Sequence, residues 1–158
     1  MKAAVRSLLF ASVVAGALFV GVTAAGAGEV RWFGACVDGT AETTAGPLTV
    51  SFGWGTSSPG LTQKFLAVQH VTYSVNGGTP TTTTTGWGPI TTGTDGNGKS
   101  IYVTRWTSPV LTTLASGESA TVTTSLQTSK KVWDDSKTSY DANTELLGAF
   151  TTCTITAS

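Results

Sequence analysis

The chain has 158 residues, with nine Lys/Arg balanced by nine Asp/Glu, a single His and two Cys. That length fits one ordinary domain behind a leader, and the longest basic run, Lys130-Lys131, leaves no electrostatic footprint for nucleic acid. One His and two Cys also supply too few soft ligands for a zinc site.

The first segment reads as an export signal. Lys2 and Arg6 form a basic start, an apolar stretch runs from Leu8 to Val22, and Ala25-Gly26-Ala27 offers the small residues that signal peptidase accepts. We expect a signal peptide over 1–27 and a single secreted domain over 28–158, extracellular and free of the membrane after cleavage. Two rivals are an uncleaved anchor and a lipidated Cys36 after Phe33-Gly34-Ala35. Glu29 and Arg31 follow the apolar stretch closely and argue against both. From Gly28 onward seven Lys/Arg face nine Asp/Glu.

In an exported chain two cysteines have one intramolecular pairing, so Cys36 and Cys153 should close a disulfide that ties the first segment to the last. For a ring of this size the chain-entropy argument gives about 5 kcal/mol of stabilisation as an upper figure. A redox pair would sit close together, as in C-x-x-C, so the bridge reads as structural, and no thiol remains for nucleophilic chemistry.

Thr and Ser supply 43 of the residues after position 27, a composition suited to pleated, half-solvated surfaces. Leu48, Val50, Phe52 and Trp54 alternate with Thr49, Ser51 and Gly53, which predicts a strand with one buried face. A longer strand is expected from Lys64 to Val75, carrying the lone His70. Asn76-Gly77 marks a tight turn into a Thr79–Thr85 edge strand, and Asp95-Gly96-Asn97-Gly98 marks another ahead of Ser100–Trp106. Ala120, Val122, Thr124 and Leu126 alternate with Ser119, Thr121, Thr123 and Ser125, and a last strand is expected over Leu146–Thr156. Trp133–Asn143 reads as a loop. The predicted fold is all-β: an immunoglobulin-like, two-sheet antiparallel β-sandwich with one disulfide joining its terminal segments.

Two resemblances agree with that fold. The terminal cysteines, the several Trp and the closing Thr151-Thr152-Cys153-Thr154 resemble the cellulose-binding sandwich modules of carbohydrate-binding family 2. Asp95-Gly96, then Tyr102-Val103-Thr104-Arg105-Trp106, then Gly117-Glu118 opening a strand is similar to the small secreted immunoglobulin-like antigens of mycobacteria. Both imply a sandwich, and neither carries a functional residue across.

Catalytic chemistry has little to work with. A lone strand histidine is ordinarily structural, and nothing near His70 in sequence completes a Ser-His-Asp arrangement. Asp134, Asp135, Asp141 and Glu145 are the candidates for a paired-carboxylate hydrolase, and their bland reading is a solvated loop. The same acids, and the turn Asp95–Gly98, are weak candidates for Ca²⁺, since the closing Glu of a calcium loop is missing. No metal or cofactor is expected.

The tryptophans are the better lead. Trp54 and Trp87 each occur as Gly-Trp-Gly, where flanking glycines could bare an indole face to a sugar or a protein. Trp54 and Trp106 are expected in the core, and Trp87 and Trp133 on the surface as candidate ligand-binding residues. The expected function is a secreted, non-catalytic sandwich acting by contact with a protein or cell-surface partner. The alternatives are a carbohydrate-binding module using exposed Trp, and a small hydrolase using the late acidic cluster.

Overall fold

The computed structural model describes residues 28–158 except 37, 136 and 150; the leader expected over 1–27 lies outside the described residues. In chain order the elements are β1 (Glu29–Arg31), α1 (Trp32–Ala35), β2 (Thr40–Thr43), β3 (Gly46–Thr56), α2 (Pro59–Leu66), β4 (Gln69–Val75), β5 (Thr81–Thr83), β6 (Thr91–Thr94), β7 (Ser100–Thr107), β8 (Thr112–Leu114), β9 (Ser119–Thr128), β10 (Val132–Trp133), β11 (Ser139–Tyr140) and β12 (Thr152–Ala157).

They build two packed sheets. The first runs β1-β3-β7-β6, with β8 also paired to β3; the second runs β2-β12-β9-β4-β5, and β10 and β11 form a separate small hairpin. Alternation along the strands sends Leu48, Val50 and Phe52 of β3, Trp106 of β7, Val71 of β4, Val122 and Leu126 of β9 and Ile155 of β12 into one core. This is the all-β sandwich expected from the sequence.

The pairing is antiparallel except at the chain's entry, where β1 lies parallel to β3 and β2 parallel to β12. The entering chain serves both sheets in succession. It adds β1 to the first, turns through α1 with Trp32 fully buried, and adds β2 to the second. Cys36 closes α1, and its bond to Cys153 on the core face of β12 spans a sequence separation of 117, with the two Cα atoms 5.7 Å apart. Among the described residues no helix is long and apolar enough to cross a membrane.

Several expected elements differ: the last strand, expected over Leu146–Thr156, is Thr152–Ala157, and the edge strand expected over Thr79–Thr85 is Thr81–Thr83. The strand expected to begin at Lys64 begins at Gln69, because Pro59–Leu66 is helical. Ser58 caps that helix by accepting from the Leu61 N–H, Pro59 occupies its first turn, and Phe65 turns into the core. The expected Trp133–Asn143 loop contains the β10–β11 hairpin, registered Val132 with Tyr140 and Trp133 with Ser139.

Candidate functional site

The two Gly-Trp-Gly segments converge on one ring. Trp54 comes from β3 and stacks on Phe65 of α2, with centroids 4.6 Å apart and planes at 12°. Trp87 meets the same phenyl edge-on at 5.1 Å and Phe52 at 5.9 Å. Its backbone forms an isolated antiparallel bridge with Trp106 of β7. Gly86 makes this approach possible. Its φ is +96°, and a Cβ there would sit 2.8 Å from both Thr107 O and Trp106 Nε1.

The glycines around Trp54 have a different role from baring the indole. They point to the opposite face of β3, where a Cβ on Gly55 would meet Ile101 Cδ1 and a Cβ on Gly53 would meet Val103 Cγ1, both at 3.7 Å. Trp106 is fully buried and donates its Nε1–H to Thr85 O at 2.9 Å. Trp54 and Trp87 are half-buried. Trp87, expected on the surface, thus packs against the aromatic core.

The β10–β11 hairpin closes over this cluster. Tyr140 packs edge-on against Trp54 at 5.4 Å and donates its hydroxyl to Asp134 Oδ2 at 3.2 Å. Ser57 donates its backbone N–H to Asp134 O at 2.7 Å, which fixes the hairpin to the end of β3. Asp134 Oδ1 is buried without a hydrogen-bond partner, as are the Nε1 atoms of Trp54 and Trp87. Burial raises the Asp134 carboxyl above its ordinary range, while the Tyr140 hydroxyl bond opposes the shift. Burial first, and then the Asp134 charge, push the Tyr140 phenol up to about 12, so it remains a donor at any ordinary pH.

The other late acids have separate tasks. Asp135 Oδ1 accepts from the Lys137 and Thr138 N–H groups, and these bonds hold its carboxyl below the ordinary range. Asp141 is exposed and pairs with Lys131 at 3.3 Å. Glu145 lies along β9, accepting from the Ser125 hydroxyl and from the Leu126 and Leu147 N–H groups. Among the described residues no three His, Cys, Asp or Glu side chains gather as a metal site. His70 is half-buried in β4, opposite Gln127 of β9.

Trp133 is 41 % exposed, with the Lys131 ammonium 5.3 Å from its ring centre. It is the one candidate Trp that stands on the surface as expected.

A broad hydroxyl-bearing face has no local signal in the sequence, because its parts come from strands far apart in the chain. Ser119, Thr121, Thr123 and Ser125 of β9 share an outer face with Thr152, Thr154 and Thr156 of β12 and with Thr72 and Ser74 of β4. Cross-strand hydroxyl pairs knit this face together: Ser119–Thr156 at 2.8 Å, Thr121–Thr154 at 3.3 Å, Thr123–Thr152 at 3.4 Å and Thr72–Thr82 at 2.8 Å. The strands contribute no Asp, Glu, Lys or Arg to these rows; Glu42 lies beside them on the edge strand β2, and the Glu145 carboxylate reaches in at the Ser125 end.

A second feature joins the two sheets. A groove of about 270 Å³ runs between the β4–β5 turn and the segment Pro109–Leu111, with Tyr73 and Val75 in its wall. Val110 at its rim is 59 % exposed. No family model, curated protein or solved structure matches this chain.

Proposed function

We propose that the chain is an exported, non-catalytic, immunoglobulin-like sandwich that works by surface contact with a protein or cell-surface partner. The hydroxyl face of β4, β9 and β12 carries this reading. It is broad, uncharged from Ser119 to Thr123 and their β12 neighbours, and already ordered by its own cross-strand bonds, so contact immobilises few rotamers. The separate local engagements of Asp134, Asp135, Asp141 and Glu145 support the non-catalytic part. The leader-like start and the disulfide support export, and the motif resemblance to secreted sandwich proteins agrees with it.

Cosedimentation of the purified 28–158 chain with cell envelopes of the source organism tests the reading. Thr123→Lys and Thr152→Lys should abolish retention, while Thr113→Lys on β8 of the other sheet should not. Retention that ignores both face substitutions sinks it.

Glycan contact is a second reading, favoured by the exposed Trp133 and its neighbouring Lys131. Retention on insoluble polysaccharides that disappears in Trp133→Ala, with Trp87→Ala compared alongside, would support it. No retention on any glycan removes it.

A further inference from the structure

The open edge of the second sheet stands out by what it carries. β5 is the last strand of β2-β12-β9-β4-β5 and, among the described residues, pairs only with β4, which leaves its other edge open. Exposed edges are blunted by short strands, Pro or charge; β5 is three residues long behind Pro80, and residues 65–94 contain no Asp, Glu, Lys or Arg. Instead the edge reads Thr79-Pro80-Thr81-Thr82-Thr83-Thr84-Thr85. Thr82 shares a hydroxyl bond with Thr72, and Thr83 with Thr85. Thr79, Thr81 and Thr84 are exposed, and among the described residues their hydroxyls have no partner.

We infer that Thr79, Thr81 and Thr84 are acceptors for O-linked neutral sugars, added as the chain is exported. Exposed Thr beside Pro is the composition of O-glycosylated segments, and an extended edge strand offers its hydroxyls clear of the sheet. In the transfer the threonine Oγ bonds to the anomeric carbon of a lipid-phosphate-linked sugar. The bond from that carbon to the phosphate oxygen breaks, and its electron pair leaves with the phosphate. The hydroxyl proton passes to a base on the transferase.

The groove gives the first sugar a seat. Thr79 and Thr81 stand in its wall opposite Pro109, Val110 and Leu111, with Tyr73 beneath. A sugar on Thr81 lays its C–H face against Tyr73 and the exposed Val110 and turns its hydroxyls outward. The sugars cover the apolar rim and block strand addition at β5, the task that charges perform on other edges.

The inference rests on the export reading for its compartment. The test recovers the chain from the culture medium of its source organism and weighs the tryptic peptide 65–99, which contains the whole edge. That peptide should carry hexose increments lost on alkaline β-elimination. The triple variant Thr79→Val, Thr81→Val, Thr84→Val, shown folded by far-UV circular dichroism, should return it to its unmodified mass. An exported chain beginning at Gly28 with an unmodified 65–99 peptide overturns the inference and leaves export standing. Sugars that persist in the triple variant overturn the assignment. A chain found only inside cells with residues 1–27 attached overturns export and this inference with it.

Discussion

Thr124 offers a sharp test of how this core is balanced. It lies fully buried on the core face of β9 between Val122 and Leu126, and its Oγ1 reaches no partner. A buried hydroxyl without a hydrogen bond costs about 1–3 kcal/mol, because the group gave up water and gained nothing in return. Thr124→Val keeps the β-branched shape and replaces that hydroxyl with a methyl. The unfolding free energy should therefore rise by about 1–2 kcal/mol, after allowing for imperfect packing of the methyl. For a domain of this size that raises Tm by about 3–5 °C per kcal/mol. Urea unfolding followed by tryptophan fluorescence, with the disulfide intact, reads the change as a higher midpoint at constant m. Thr128 is equally buried and equally unpartnered, so Thr128→Val should behave alike. The two sites are about 13 Å apart along the strand, and their effects should add. A neutral or destabilising Thr124→Val would refute the reasoning, since the hydroxyl would then have a hydrogen-bonded partner such as an internal water.

Replacing Cys36 and Cys153 together by Ser should cost about 2–5 kcal/mol in the same assay; a loss below about 1 kcal/mol would remove the clasp as a source of stability. Phe65→Ala empties the space between Trp54 and Trp87 and should cost about 3–5 kcal/mol, with a change in native tryptophan emission as both indoles lose their neighbour. Gly86→Ala forces a side chain into a positive-φ position against Trp106 and should destabilise by more than about 1 kcal/mol; a neutral result would mean that the Trp87 segment lies farther from β7. Asp134 sets a pH dependence. Burial raises its folded pKa above the ordinary 3.8, so the folded chain holds this proton more tightly than the unfolded one. Its stabilising contribution is full below pH 3.8 and is lost as pH rises through the folded value. Asp134→Asn should flatten the fall in stability above pH 3.8, and an unchanged pH profile would count against the shift.

Much of the fold was legible because alternation and turns are local signals. β9 lies where period-two patterning places it, β7 follows the Asp95–Gly98 turn, and the Asn76-Gly77 turn precedes the edge strand. The strand expected from Lys64 was misplaced because Phe65, Ala67 and Val71 also satisfy alternation. The helical signals, Ser58 before Pro59 and the Leu61–Phe65 spacing, are also present in this segment and compete with that alternation. Parallel pairing of β1 and β2 had no local signal, since it depends on which sheet the entering chain reaches first. The candidate site was half legible. Gly-Trp-Gly marked both tryptophans, yet nothing local shows that they share Phe65, or that glycine flanks serve the far side of β3. The hydroxyl face required register across three strands, information that no single segment holds.

The bond between Cys36 and Cys153 has a mechanical consequence. A force applied between Gly28 and Ser158 passes directly across the two sulfurs. Between residues 28 and 158 only 28–35 and 154–158 lie outside the ring, so that span can stretch to about 45 Å, where without the bond it would give about 450 Å. Everything between the cysteines, including the hydroxyl face and the aromatic cluster, is shielded from end-to-end tension. Under pull the domain is a bead of nearly fixed length, and it yields as a chain only when the sulfurs are reduced.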